Sequence, residues 1–317
     1  MNFKKPKFWD LDKPNFIAYI LLPFTIFVRI SNFFLNKLSL QKNKDIKTIC
    51  IGNIYLGGTG KTPTTIKLYN EIKKLGINVT TAKKFYKNEK DEHLLLKEKT
   101  NFISGKTRKK IIQSAIKEKF DLVIFDDGLQ DKNINYDIKL VCFNSDEWIG
   151  NGYLIPSGPL REKLSSLKKY HGVFIKGHDL IKSRKISEIV NKINPAIKTY
   201  FTNYKVTNLK NFDLEQKYLL FCGIGSPINF KNLLKKENFE IVSEMIFPDH
   251  YNYEITDFEN ILSNAKNLNA KIITTKKDYV KTPDKYKNQI SYLEVDLNIN
   301  DKEDLINTIK KKLNEKY

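Results

Sequence analysis

Lys47-Thr48-Ile49-Cys50-Ile51-Gly52-Asn53-Ile54-Tyr55-Leu56-Gly57-Gly58-Thr59-Gly60-Lys61-Thr62-Pro63 is the stretch on which the reading of the whole chain depends. Ile49, Cys50 and Ile51 read as a short buried strand, Gly57 to Gly60 as a tight loop, and Thr62 to Lys74 as a helix, which is the order a phosphate-binding loop requires. Glycines let successive backbone N–H groups converge on phosphate oxygens at a helix N-terminus. In that setting Gly57, Gly58, Thr59 and Gly60 cradle phosphates, Lys61 brings a point charge to them, and Thr62 offers a hydroxyl to Mg²⁺. The usual first glycine of the pattern is absent, because Tyr55 stands there. Gly52 and the Gly57-Gly58 pair are expected to take over its turn, which makes this a variant loop.

Working outward, the chain has 317 residues and 41% hydrophobic content, enough for two domains with real cores. Lys and Arg number 55 against 36 acidic residues, a formal charge of +19 that suits a polyanionic neighbour such as an anionic membrane or a phosphorylated substrate. Lysines are spread over every segment, without the aromatic interleaving on one face that a nucleic-acid groove needs, so no nucleic acid is expected. Cys50, Cys142 and Cys222 lie far apart in apolar strand-like settings and read as buried, reduced thiols.

Before the loop, residues 16–28 carry no charge, and Ile30, Phe33, Phe34 and Leu35 extend the run. That is short of the roughly 20 residues a spanning helix needs, and Pro23 and Arg29 interrupt it. A membrane-associated helix in the bilayer surface is expected instead, flanked by Lys4, Lys5, Lys7 and Lys13 before it and Arg29 and Lys37 after it.

After the loop, strands are expected at Ile77–Ala82, Leu122–Phe125, Ile138–Phe143, Val173–Lys176 and Ile197–Tyr204, alternating with helices. One helix opens at Asp91-Glu92, another covers Lys109–Lys119. Asp126 and Asp127 follow a fully apolar strand downstream of a phosphate loop, the place from which a carboxylate reaches Mg²⁺. Gly150 to Glu162 is a turn-rich loop entering a helix, with Arg161 placed for an anionic group. A second α/β unit follows, with strands at Tyr218–Cys222, Ile241–Ile246, Lys271–Thr274 and Ile290–Val295 and helices at Phe230–Lys236 and Ile255–Leu268. A final helix runs from Asp301 to Leu313. The fold class is α/β: a P-loop NTPase-like core domain at 40–204 and a second, smaller α/β domain at 205–297. A membrane-associated segment at 1–39 precedes them, and a C-terminal helix at 298–317 follows.

Gly57-Gly58-Thr59-Gly60-Lys61-Thr62-Pro63, Asp91-Glu92, Asp126-Asp127-Gly128-Leu129-Gln130, Pro156-Ser157-Gly158-Pro159-Leu160-Arg161-Glu162, Phe247-Pro248-Asp249-His250 and Lys277-Asp278, in that order, resemble the tetraacyldisaccharide 4′-kinase family. The resemblance implies ATP and Mg²⁺ as cofactors and phosphoryl transfer to the 4′-hydroxyl of an acylated glucosamine disaccharide 1-phosphate, giving lipid IVA in lipid A biosynthesis. It implies work at the cytoplasmic face of a bacterial inner membrane, against its anionic surface, with no obligate protein partner. Asp91 would be the base, with His250 brought to it from the second domain. Glu92, Asp126 and Asp127 would organise Mg²⁺, and Arg108 would lie near the phosphates. The chain departs from the family pattern at Ala82-Lys83-Lys84-Phe85, where Ser-Arg-Gly-Tyr is usual, at Thr107, where an acid is usual, and at Asp131, where a histidine is usual.

The competing reading is a membrane-associated partitioning or positioning ATPase, whose deviant phosphate loop is similar. Those loops carry a lysine just before the paired glycines, and Leu56 occupies that position here.

Overall fold

The computed structural model describes residues 5–28, 30, 45–86, 89–131, 133–177 and 179–314. Two compact units make up the chain. Among the described residues, the larger spans 5–85, 99–203 and 297–314, and the smaller 86–98 and 204–296. The stretch carrying Asp91 therefore groups with the second α/β unit, although it lies inside the 40–204 range of the expected core. The C-terminal helix groups with the larger unit.

A 3-10 turn, Lys7–Asp10, precedes a short helix, α1 (Phe16–Leu21). The chain then runs β1 (Lys47–Gly52), α2 (Lys61–Lys73), β2 (Val79–Lys84), α3 (Lys90–Lys99), β3 (Phe102–Gly105), α4 (Arg108–Lys117), β4 (Leu122–Asp126), β5 (Ile138–Asn144), β6 (Gly172–Lys176), α5 (Leu180–Ile193) and β7 (Lys198–Val206). The second half holds β8 (Lys217–Cys222), α6 (Pro227–Lys236), β9 (Glu240–Ile246), α7 (Ile255–Asn267), β10 (Lys271–Thr275), the single turns α8 (Lys276–Tyr279) and α9 (Asp284–Lys287), β11 (Ile290–Leu293), β12 (Val295–Ile299) and α10 (Lys302–Asn314).

An eight-stranded sheet has the order β12-β7-β6-β5-β1-β4-β2-β3, and its ladders from β3 through to β7 are parallel. Parallel strands need helical crossovers that cover both faces, so continuous apolar runs are what such strands require. Leu122-Val123-Ile124-Phe125 meets that requirement, with every residue of β4 buried. β1 pairs with β4 in a register that sets Ile51 opposite Asp126. The glycine loop leaving β1 and the aspartates ending β4 thus emerge at the same carboxyl edge, where ligands of open α/β sheets bind.

The four-stranded sheet has the parallel order β11-β10-β8-β9. Alternation along β8 builds its two cores. Tyr218, Leu220 and Cys222 pack with Phe230, Leu233 and Leu234 of α6 on one face. Leu219 and Phe221 pack with Phe258, Ile261 and Ala265 of α7 on the other.

Four local expectations change. β2 begins at Val79, because Asn78 is consumed by a turn: its backbone N–H donates to Asp121, its side chain to the Lys119 carbonyl. Phe102–Gly105 is an additional edge strand. The stretch expected as one strand over 290–295 is two, interrupted at Glu294, whose N–H donates to Asn208 and whose carbonyl accepts from Thr207. Beyond Glu162 the loop enters a short 3-10 turn, Leu164–Lys169, rather than an α-helix. All three cysteines are free and buried, as their settings suggested.

Candidate active site

The glycine-rich loop between β1 and α2 is braced from within. Gly60 caps α2 with φ +84°, a conformation open to glycine at no steric cost. Asn53 donates to the Gly57 carbonyl (3.3 Å) and to Thr59 Oγ1 (3.2 Å). Tyr55, standing where a glycine is usual, is fully buried with Leu154 and Leu160. Its ring lies so close to Gly57 that a Cβ there would meet it at 2.6 Å. The loop from Tyr153 to Arg161 holds Tyr55 in place: Leu56 N–H donates to the Pro159 carbonyl and Arg161 N–H to that of Ile54.

Thr62, in the first turn of α2, donates to Asp126 Oδ2 at 2.8 Å, and Thr65 lies 3.4 Å from Asp126 Oδ1. Lys83 Nζ reaches the same Oδ2 at 3.1 Å. Asp127 has φ +66°, an uncommon conformation for a residue with a side chain, and its Oδ1 accepts from the Gly128 N–H. Burial alone would raise the Asp127 carboxyl. Lys61, Arg161 and Lys83 outweigh it and hold Asp127 well below the usual carboxylate range. Arg161 approaches Asp127 Oδ2 at 3.3 Å.

Arg108 lies behind this turn. It donates to the Asp127 carbonyl (3.0 Å) and pairs with Asp131 (2.7 Å), and Gly128 packs against the guanidinium so closely that a Cβ would fall 2.5 Å from Nε. Two departures from the family pattern find their reason here. Asp131 supplies the charge that Arg108 needs, while Thr107 caps α4 by accepting from the Lys110 N–H.

Gln130 and Glu162, absent from the sequence-based set, tie the two loops together. Gln130 donates to the Asn53 carbonyl and to Glu162 (2.8 Å), and Glu162 also accepts from Tyr170 and Lys169. Both lie in the motifs quoted above, the one signal that could have found them.

The smaller unit holds a separate cluster. Asp91 is 2% exposed, and its Oδ1 lies 3.1 Å from His250 Nδ1. Lys277 Nζ is 3.1 Å from the other oxygen, Oδ2, with Lys281 at 3.7 Å. Burial would raise the Asp91 carboxyl, but the hydrogen bond from His250 and the charges of Lys277 and Lys281 hold it well below its usual range. His250 has φ +57°, a second strained residue at a site. Its Nε2 is 3.8 Å from Glu92, which Lys277 approaches at 3.6 Å. Lys277 also reaches Asp249, so one ammonium stands among three carboxylates. Sequence reasoning missed Lys277 as a site residue. It brought Asp91 and His250 together from different domains, and the structure places both in one unit. Thr62, Asp126 and Asp127 lie together in the larger unit, whereas Glu92 belongs to the smaller one.

The N-terminal segment docks through Trp9. Its indole donates to the Pro156 carbonyl (3.0 Å), and Asn151 N–H donates to the Trp9 carbonyl. Asn15 caps α1, and the Ser157 hydroxyl donates to the Ala18 carbonyl. Ala18 is buried, but Phe16 is 77% exposed and Phe27 69%, with Ile20 and Phe24 also outward. Among the described residues no helix is long and apolar enough to cross a membrane. Phe33, Phe34, Leu35, Arg29, Lys37 and Lys4 of the expected segment lie outside the described residues.

Residues 17–314 match the model of the family described as LpxK, tetraacyldisaccharide-1-P 4′-kinase. The tetraacyldisaccharide 4′-kinase of Pelagibacter ubique is 46% identical over 318 aligned residues, covering all of both chains. That of Rickettsia canadensis is 35% identical, covering 93% of each. A crystal structure of LpxK from Aquifex aeolicus in complex with ATP superposes with a TM-score of 0.69 at 21% identity, covering 93% of this chain and 99% of that one. The partitioning-ATPase alternative is not favoured by these matches.

Proposed function

Because the chain belongs to the tetraacyldisaccharide-1-phosphate 4′-kinase family, we propose that it transfers the γ-phosphate of ATP to the 4′-hydroxyl of a tetraacyldisaccharide 1-phosphate at a membrane surface. The kinase activity is that of the family. The assignment of residues to steps is our reading of the geometry.

In this reading Gly57 to Gly60, with Lys61, cradle the phosphates at the start of α2. Thr62 and Asp126 would hold Mg²⁺. Their donors are a hydroxyl and a carboxylate oxygen 2.8 Å apart, and hard oxygens few in number suit an ion that keeps several waters and phosphate oxygens. Bound Mg²⁺ would neutralise charge developing on the transferred phosphoryl group. Asp127 lies beside the pair, and Arg161 is set to face phosphate charge. Arg108 acts through the Asp127 turn that it supports. Glu92, flanked by His250 and Lys277, is assigned to the acid–base cluster instead of the ion.

The pair Asp91–His250 takes the proton of the acceptor hydroxyl as its oxygen bonds to the γ-phosphorus and the bond to ADP breaks. The observation that carries this assignment is the 3.1 Å contact between the buried Asp91 carboxylate and the His250 ring. The outward Phe16, Ile20, Phe24 and Phe27 would enter an acyl-chain interface, with the basic excess facing anionic lipid.

Transfer of labelled γ-phosphate from ATP to the glycolipid in detergent tests the assignment. Lys61→Ala, Asp91→Ala and His250→Ala are each expected to lower kcat by about 100-fold or more, since each removes a group acting in the transition state. Wild-type rates in Asp91→Ala and His250→Ala would remove the acid–base role from this pair.

A further inference from the structure

Lys83 is a buried lysine for which the phosphate loop has no textual pattern. It sits on β2, whose register against β4 sets Ala82 opposite Phe125. The next residues along, Lys83 and Asp126, therefore share one face of the sheet, the face covered by Thr62 and Thr65 of α2. Lys83 is 1% exposed and Asp126 fully buried. Nζ lies 3.1 Å from Asp126 Oδ2, the oxygen that also accepts from Thr62. A carboxylate so deeply buried needs a cation nearby, and two strands put one there.

We infer that Lys83 is a positioning residue that stands in for the divalent cation: its ammonium holds Asp126 and Thr62 in their ligating arrangement whenever no metal is bound. The inference rests on the reading of Thr62 and Asp126 as the residues that hold Mg²⁺. It has a cost. An ammonium on Oδ2 repels an arriving Mg²⁺ and competes with it for the same oxygen. Stability of the metal-free site and affinity for the metal are thus set against each other by one side chain. Arginine in the same position, as in the usual family pattern, would keep the charge but deliver it from a broader, planar group.

The test measures two quantities on the full chain, the melting temperature without metal and the Mg²⁺ concentration at half-saturation of ADP binding, for wild type, Lys83→Met and Lys83→Arg. Lys83→Met is expected to melt about 5 °C or more lower without metal. It is also expected to recover much of that loss with Mg²⁺ and ADP, and to saturate at a Mg²⁺ concentration lower by about tenfold. Lys83→Arg should stay near wild type in both. An unchanged Mg²⁺ midpoint in Lys83→Met, or one shifted upward, overturns the inference. If Lys83→Met fails to fold, the double variant Lys83→Met/Asp126→Asn decides. Its folding shows that the missing charge was the defect, and its failure shows that Lys83 serves packing alone. If wild-type ADP binding ignores Mg²⁺ altogether, the underlying metal assignment fails instead.

Discussion

Replacing Lys277 with methionine removes the one ammonium that touches Asp91 Oδ2, Asp249 and Glu92 together. The carboxylate loses the contact that fixes its rotation and leaves Oδ1 to His250. We expect kcat to fall about tenfold with KM for ATP unchanged, and Lys277→Arg to recover part of it. In an Asp91→Asn background the same change should cost less than about twofold, because the two residues act through one contact. Steady-state kinetics on the four proteins of the cycle checks this, and full additivity would contradict it. Glu162 offers a pH test. Burial would raise its carboxyl, but Lys169, Gln130 and Tyr170 hold it below the unfolded value of 4.5. A depressed carboxylate contributes stability above the unfolded pKa and loses it as pH falls through and below that value. Thermal unfolding should therefore show Glu162→Gln less stable at pH 7, by about 1–2 kcal/mol, with the gap closing below pH 4.5. Lys61, Thr62, Asp126 and His250 were open to nomination as candidates because each sits at a fixed offset in a motif. Lys83 and Lys277 were not, since their partners lie 43 and 186 residues away in the chain and only strand register and packing reveal them.

Elements were legible where a period or an apolar run was strong. β1, β4, β8 and α7 fell within a residue or two of expectation. β3 was missed because Phe102–Gly105 is four residues long with only Ile103 buried, too short a pattern to stand above its polar flanks. The break at Glu294 is set by Asn208 and Thr207, which no local signal near residue 294 could disclose. The N-terminal helix was read from its apolar run, but its attachment through Trp9, Asn151 and Ser157 comes only from the fold. That attachment leaves one side of α1 outward. Phe16→Ser/Ile20→Ser/Phe24→Ser is expected to weaken binding to anionic vesicles by at least about tenfold, since each buried apolar side chain contributes roughly 1.5–3 kcal/mol. Its melting temperature should stay within a few degrees of wild type. Vesicle co-sedimentation checks the first, and undiminished binding would place the membrane contact elsewhere.

At the scale of the whole chain, composition allowed a polyanionic neighbour but could not choose it. The formal charge of +19 alone fits a nucleic acid as well as a membrane; the scatter of the lysines argues against the first, and motif order points to the second. Motif order identified the family, and the match over residues 17–314 bears that out. The division into units was less legible. Residues 86–98 join residues 204–296 because α3 carries the carboxylates that Lys277 and His250 require, a demand of charge rather than of chain order. In the proposed function, residues assigned in each unit serve a single transfer, and that is the central claim. The most direct measurement gives the enzyme ATP and tetraacyldisaccharide 1-phosphate in detergent, then locates new phosphate on the glycolipid by phosphorus NMR and mass spectrometry while counting ADP. The account predicts one phosphoester at the 4′ position for each ADP formed. ADP accumulating without that phosphoester, or phosphate at another hydroxyl, would contradict it.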